Sequence, residues 1–157
     1  MKKNREDRPP EIVIPKEEAV FWMDGQGRWH NRHGPFEHRK IIDHFNAAIQ
    51  RDENGYFVGQ NRDGIHEKVY FPYQDTALFV TDVHWGDPIQ MLLNTGALID
   101  LSPKLLFIRE DQLFHMKGDE IIKFSQRALA MISKKMEFSE ERYSIRIGGI
   151  RYTLPEL

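Results

Sequence analysis

Ala19-Val20-Phe21-Trp22-Met23-Asp24-Gly25-Gln26-Gly27-Arg28-Trp29 opens the stretch that decides the fold, which runs on to Val83. Apolar and aromatic residues flank Asp24-Gly25-Gln26-Gly27, and its two glycines offer the positive φ that a tight reversal needs. The reading is a hairpin of residues 20–23 with 28–31, with Phe21, Trp22 and Trp29 as its large side chains. Next, Ile41, Ile42, Phe45, Ala48 and Ile49 fall on one stripe at helical spacing. They predict a helix over residues 36–50, with Pro35 in the first turn, where its missing N–H costs nothing. Turn chemistry at Asp52-Glu53-Asn54-Gly55 ends that segment, and extended runs at 56–59 and 65–71 bracket a second turn ending in Asp63-Gly64.

Downstream, residues 76–85 are rich in β-branched and aromatic residues and read as a strand buried on much of both faces. Gly86-Asp87-Pro88 turns the chain. Residues 89–93 and 97–101 flank Asn94-Thr95-Gly96, and 105–109 pairs with 112–116. Ile121, Phe124, Ala128, Met131 and Ile132 predict a long helix over 119–136, with Lys134 and Lys135 in its last turn. Residues 143–147 and 150–154 close the chain as a hairpin about Gly148-Gly149. The expected class is α+β: two small units of antiparallel strands, each with one main helix. The expected organisation is a flexible N-terminal arm over 1–18, an α+β unit over 19–75 and a β-rich unit over 76–157. The arm mixes charges of both signs with Pro9, Pro10 and Pro15, although Ile12-Val13-Ile14 suits docking as an extended segment.

A chain of 157 residues buries enough surface to fold without staples. It has no cysteine, which excludes disulfides, thiolate zinc sites and cysteine nucleophiles, and suits a reducing cytoplasm. A net charge of −2 gives no electrostatic reason to expect a nucleic-acid polymer or an acidic membrane as partner. The basic start is followed by no apolar run, so no signal peptide is expected, and no later run is long enough to span a bilayer.

Chemistry-bearing residues are sparse. In the closing hairpin a Gly148-Gly149 loop sets Ile147 opposite Ile150 and Arg146 opposite Arg151. Two arginines directly opposite repel, unless an anion or nearby carboxylates such as Glu140 and Glu141 intervene. Arg146 and Arg151 are therefore candidate anion contacts, with a solvated face as the plainer alternative. His30, His33, His38 and His44 cluster in sequence, yet their spacing does not align a metal pair on one helical face, so no metal and no cofactor is expected. His38, upstream of the apolar stripe, is expected at a seam between elements and is kept as a candidate ligand contact. Asp82 and His84 share a strand face and read as a hydrogen-bonded pair or, failing that, an acid–base pair. Gly25 and Gly27 join two strands and so do not make a phosphate loop. Trp22, Trp29 and Tyr56 suit either the core or a stacking platform for a base.

Asp24-Gly25, Gly27-Arg28-Trp29-His30-Asn31, Gly34-Pro35-Phe36, Ile41-Ile42, Phe45 and Asn54-Gly55-Tyr56 together resemble the bacterial family named domain of unknown function 1285. Asp75-Thr76-Ala77-Leu78-Phe79-Val80 and Leu93-Asn94-Thr95-Gly96 extend the resemblance across residues 19–154. The resemblance implies two related α+β units, the second loosely like a pleckstrin-homology fold, meeting at an interface that holds a nucleotide-like ligand. It implies a part in signalling or stress response, and it places Asp24, Trp29, Asp75 and Asn94 at positions that line such an interface. The leading expectation is a non-enzymatic cytoplasmic module that binds a small anionic or nucleotide-like ligand. A protein–protein adaptor using exposed strand edges is the alternative, and a small hydrolase built on Asp82 and His84 ranks last.

Overall fold

The computed structural model describes residues 10–157, and over these the chain forms two compact units that divide after Gln74. The class is α+β, with strands in several sheets and two helices. The part of the expected arm that precedes Pro10 lies outside the described residues.

In the first unit, β1 (Glu11–Ile14) runs parallel to β7 (Ile65–Tyr70), so Ile12-Val13-Ile14 is a docked strand. β6 (Gly55–Arg62) and β5 (Ile49–Asp52) complete a four-stranded sheet in the order β1-β7-β6-β5. Asp63 (φ +50) and Gly64 (φ +76) form the two-residue turn between β6 and β7, which accounts for a strand longer than 56–59. A smaller sheet holds β2 (Phe21–Met23), β3 (Trp29–Asn31) and β4 (Gly34–Pro35). The first hairpin therefore forms where the glycines predict it. Gly27 takes the left-handed conformation (φ +79), while Asp24 does the rest of the work by accepting from the backbone N–H groups of Gln26 and Arg28.

The helix predicted over 36–50 is shorter: α1 spans Arg39–Ala47. Pro35 and Gly34 pair with β3 instead of opening the helix, and Ile49 leaves it to pair with Val58 in β5. Sheet pairing outcompetes the end of the helical stripe because it buries Ile49, whereas Ile41 on the helix stays 47% exposed. Phe45 supplies most of what α1 gives the core, meeting Phe21 (4.9 Å), Trp29 (5.3 Å) and Phe36 (5.1 Å) edge to face.

The second unit is built on a six-stranded sheet of two three-stranded meanders. One comprises β8 (Phe79–His84), β9 (Gln90–Leu93) and β10 (Leu98–Asp100). The other comprises β11 (Leu106–Arg109), β12 (Gln112–Lys117) and β13 (Glu120–Phe124). They join through a parallel β8–β13 pair, giving the order β10-β9-β8-β13-β12-β11. At the outer edge, Ile108 donates to Pro155 (2.8 Å) and accepts from Leu157 (2.7 Å), so the end of the chain covers β11.

β13 corrects the long helix expected over 119–136. Gly118 (φ +59) turns the chain, residues 120–124 enter the middle of the sheet, and α2 is confined to Gln126–Ile132, followed by a 3-10 turn. Ser125 starts it by accepting from the Ala128 N–H, a cap that the period count passed over. Ile121 and Phe124 fit helical spacing equally well. What decides is Lys123, buried at 5% exposure yet matched by Asp75 with Nζ–Oδ2 at 3.6 Å. A third sheet follows, formed by β14 (Met136–Ser139), β15 (Arg142–Ile147) and β16 (Ile150–Thr153). β14 lies partly in the region assigned to the helix and was not expected as a strand. The predicted register of the last hairpin is present: Ile147 faces Ile150 and Arg146 faces Arg151.

Candidate functional site

In the first unit, β6 enters the sheet with three consecutive buried side chains, Tyr56, Phe57 and Val58. β7 leaves it through Tyr70 into Phe71-Pro72-Tyr73, where proline prevents further pairing. The Met23 N–H bonds the Pro72 carbonyl (3.0 Å), fixing this exit against the first hairpin. The aromatic rings so positioned surround a cavity of about 690 Å³, lined by Tyr56, Tyr70, Phe71 and Tyr73 together with Lys16 and Glu17. That volume lies within the roughly 300–1,000 Å³ typical of small-molecule sites. Tyr56 and Tyr73 meet edge to face at 5.2 Å, and the Tyr73 hydroxyl lies against Gly55, where a Cβ would sit only 3.3 Å from it.

A polar network stiffens one wall. The Tyr70 hydroxyl donates to the Asp52 carboxylate, which also receives the Asn54 N–H (2.9 Å) and the Lys68 ammonium (3.4 Å). Lys68 pairs in turn with Glu11 at 3.6 Å. The Tyr70 hydrogen bond, with those of Asn54 and Lys68, holds Asp52 below the ordinary carboxylate range despite partial desolvation. The same bond and desolvation raise the Tyr70 phenol. Desolvation acts to lower Lys68, but its acidic neighbours outweigh this and raise it. Tyr70 and Asn54 thus line the cavity with Asp52 and Lys68 bonded behind them, and Lys16 adds an exposed ammonium to the lining. Rings and hydrogen-bonding groups together suit a planar, hydrogen-bonding molecule.

Of the candidate contacts singled out from sequence, Tyr56 lines this cavity and the others do not. Asp24 is spent on its own turn: Oδ1 accepts from Gln26 and Arg28, and Oδ2 meets His30 Nε2 at 2.7 Å. Burial opposes ionisation of Asp24, but the His30 bond and the two backbone N–H groups together outweigh it and lower its pKa. Trp29 is a core residue, 2% exposed, with its indole N–H bonded to Asn46, and Tyr56 is also buried. Trp22 alone of the three aromatics is exposed, and it stacks on His30 at 5.8 Å. His38 stands exposed at the N-terminus of α1, not packed at a seam, and lines a shallow concavity of about 400 Å³ with His33 and Ile41.

Asp75 bridges Lys123 and Arg109 (3.3 Å). Asn94 acts as a surrogate peptide: Oδ1 accepts from Phe79 N–H and Nδ2 donates to the Ala77 carbonyl, both at 3.0 Å. Asp82 and His84 stand 3.6 Å apart, beyond hydrogen-bond reach, and Arg127 is the other neighbour of Asp82 at 3.9 Å. Arg146 and Arg151 are exposed and opposite each other. What sequence reading missed is the Tyr70-Phe71-Pro72-Tyr73 run with Lys16, which joins Tyr56 at this cavity. Its signal was a cluster of tyrosines flanking a strand-terminating proline.

No protein-family model matches the chain, and a search of curated proteins finds no significant match. Among solved structures it is similar to a DUF1285 family protein from Silicibacter pomeroyi DSS-3. The TM-score is 0.60 at 12% identity, over 94% of this chain and 83% of that one. It is also similar to a DUF1285 family protein from Shewanella baltica OS155. Here the TM-score is 0.50 at 15% identity, over 71% of this chain and 87% of that one. These matches agree with the resemblance read from short motifs: the chain has the fold of DUF1285 family proteins.

Proposed function

We propose that the protein is a non-enzymatic module that binds a small nucleotide-like ligand in the tyrosine-lined cavity of its first unit, in the cytoplasm and in the service of signalling. The observation that carries this reading is the 690 Å³ cavity, whose walls combine aromatic rings with Lys16 and Asn54. A base would lie against Tyr56 and Tyr73, and Lys16 would meet an anionic group. The bonded state of Asp24 and Asp52 favours binding over chemistry: Asp24 is held by backbone N–H groups and His30, and the hydroxyl beside Asp52, that of Tyr70, is a phenol whose pKa this bond raises. A pleckstrin-homology-like character of the second unit belongs to the same proposal, supported by its antiparallel meanders and its helix.

The test is a thermal-shift and calorimetry screen of nucleotides against the wild type, Tyr73→Ala and Lys16→Ala. Binding to the native state raises the melting temperature in proportion to the logarithm of ligand concentration. At least one nucleotide should stabilise the wild type and lose about tenfold or more in affinity in each variant. Equal shifts in all three proteins, or none in any, would overturn the proposal.

The adaptor reading rests on a different observation. Phe138 lies 61% exposed on the edge strand β14, beside an apolar groove of about 330 Å³ lined by Ile108, Leu113, Leu129 and Tyr143. It becomes the better account if Phe138→Lys abolishes association with a partner while nucleotides have no effect.

A further inference from the structure

We propose that the Arg146–Arg151 face of the last hairpin binds a phosphate group, at a site on the second unit separate from the tyrosine-lined cavity. The register sets Arg146 directly opposite Arg151, a position where like charges destabilise a strand pair. Among the described residues neither arginine has a carboxylate within 4.0 Å, and Glu140 and Glu141 lie in the turn at the other end of β15. Glu137 lies on the same face, but it is opposite Ser144 and pairs with neither arginine. Arg142 is opposite Ser139 and shares this side of β15 with Ser144 and Arg146, so the face carries three guanidinium groups against one carboxylate.

The second observation is that Arg151 is held in place. Its Nε donates to Oγ of Ser144 at 3.1 Å, and Ser144 is itself only 1% exposed. A buried hydroxyl thus anchors the inner edge of an exposed guanidinium. Its terminal amino groups have no bonded partner among the described residues. Thr153, opposite Ser144, adds a hydroxyl to the same surface. Anchoring removes part of the rotamer entropy that makes surface arginines weak ligands.

A tetrahedral oxyanion with two charges answers this arrangement better than a carboxylate. It balances both arginines at once and offers separate oxygens to the two forks, converting the cross-strand repulsion into charge-assisted hydrogen bonds.

The experiment uses the whole chain with inorganic phosphate as probe and acetate at matched ionic strength as control. Phosphate should move the Nε–Hε resonances of Arg146 and Arg151 saturably, and acetate should not. Arg146→Gln and Arg151→Gln should each weaken phosphate about tenfold or more, and Ser144→Ala a few-fold. In phosphate-free buffer Arg146→Gln should melt no lower than the wild type, because the repulsion is relieved. In saturating phosphate that order should reverse. Equal responses to phosphate and acetate, resonances that do not move, or an Arg146→Gln variant less stable without phosphate would each overturn the proposal.

Discussion

The indole N–H of Trp29, on β3, donates to the side-chain oxygen of Asn46, on α1, across 2.7 Å. This bond ties the small sheet to the helix at the centre of the aromatic cluster, where Trp29 also meets Phe71 at 4.7 Å. It turns a residue with an exposed-looking polar atom into a core residue, since a buried indole N–H must find an acceptor. Asn46→Ala leaves that donor without a partner and should cost about 1–3 kcal/mol. Asn46→Asp keeps an acceptor and should recover most of the loss. Urea unfolding monitored by tryptophan fluorescence reads both.

His115 makes stability depend on mildly acidic pH. It is buried; its Nε2 accepts from the Ser102 N–H (3.1 Å), and its Nδ1 donates to the Met116 carbonyl (2.6 Å). Burial lowers its pKa below 6.5, and the Met116 bond only partly offsets this. The unfolded imidazole therefore takes up a proton that the folded one refuses, so stability falls as pH drops below 6.5 and levels off below the folded pKa. The melting temperature should decline through that window. His115→Gln should flatten the decline even though it lowers the plateau.

The turn between β14 and β15 is built from Glu140 (φ +55) and Glu141 (φ +61), both in the left-handed region without a glycine. A side chain there costs roughly 1–2 kcal/mol per residue, and asparagine–glycine is the favoured pair for such a loop. Glu140→Asn with Glu141→Gly should raise stability by about 1 kcal/mol, less the entropy that glycine adds to the unfolded chain. Chemical denaturation with an unchanged slope is the measurement. No gain would mean that these backbone angles carry no strain.

Asp24 should be the polar residue that holds the turn of the first hairpin. Its carboxylate satisfies two backbone N–H groups and His30. Asp24→Ala is expected to cost about 2 kcal/mol, within the range for hydrogen bonds to charged groups. Because its folded pKa lies below 3.8, this stabilisation is present above that pH and is lost as pH falls through the folded value. The stability difference between wild type and Asp24→Ala should therefore shrink as pH falls from 3.8 through the folded value.

Much of the fold was legible because hairpins are local. Asp63-Gly64 and Gly148-Gly149 announce their turns in adjacent letters, and the pairing of Arg146 with Arg151 follows by counting outward from the loop. The helices were less legible. A short run such as residues 120–124 satisfies both the helical and the extended period, and its buried lysine reads as a surface residue until Asp75 is found beside it. Of the cavity only Tyr56 was legible, as a candidate stacking ring. Tyr56, Tyr70, Tyr73 and Lys16 come from three separate stretches that only the pairing of β1 with β7, and of β7 with β6, brings together.

By itself the chain's order of residues determined the turns, the alternation of strands between them and the face on which each hairpin residue lies, because these depend on φ preferences and a two-residue repeat. Only the tertiary structure decided where the helices end, which aromatic rings are core and where a ligand has room. Those outcomes depend on which distant segment competes for the same surface, and burial free energy is settled between partners that are far apart in the chain.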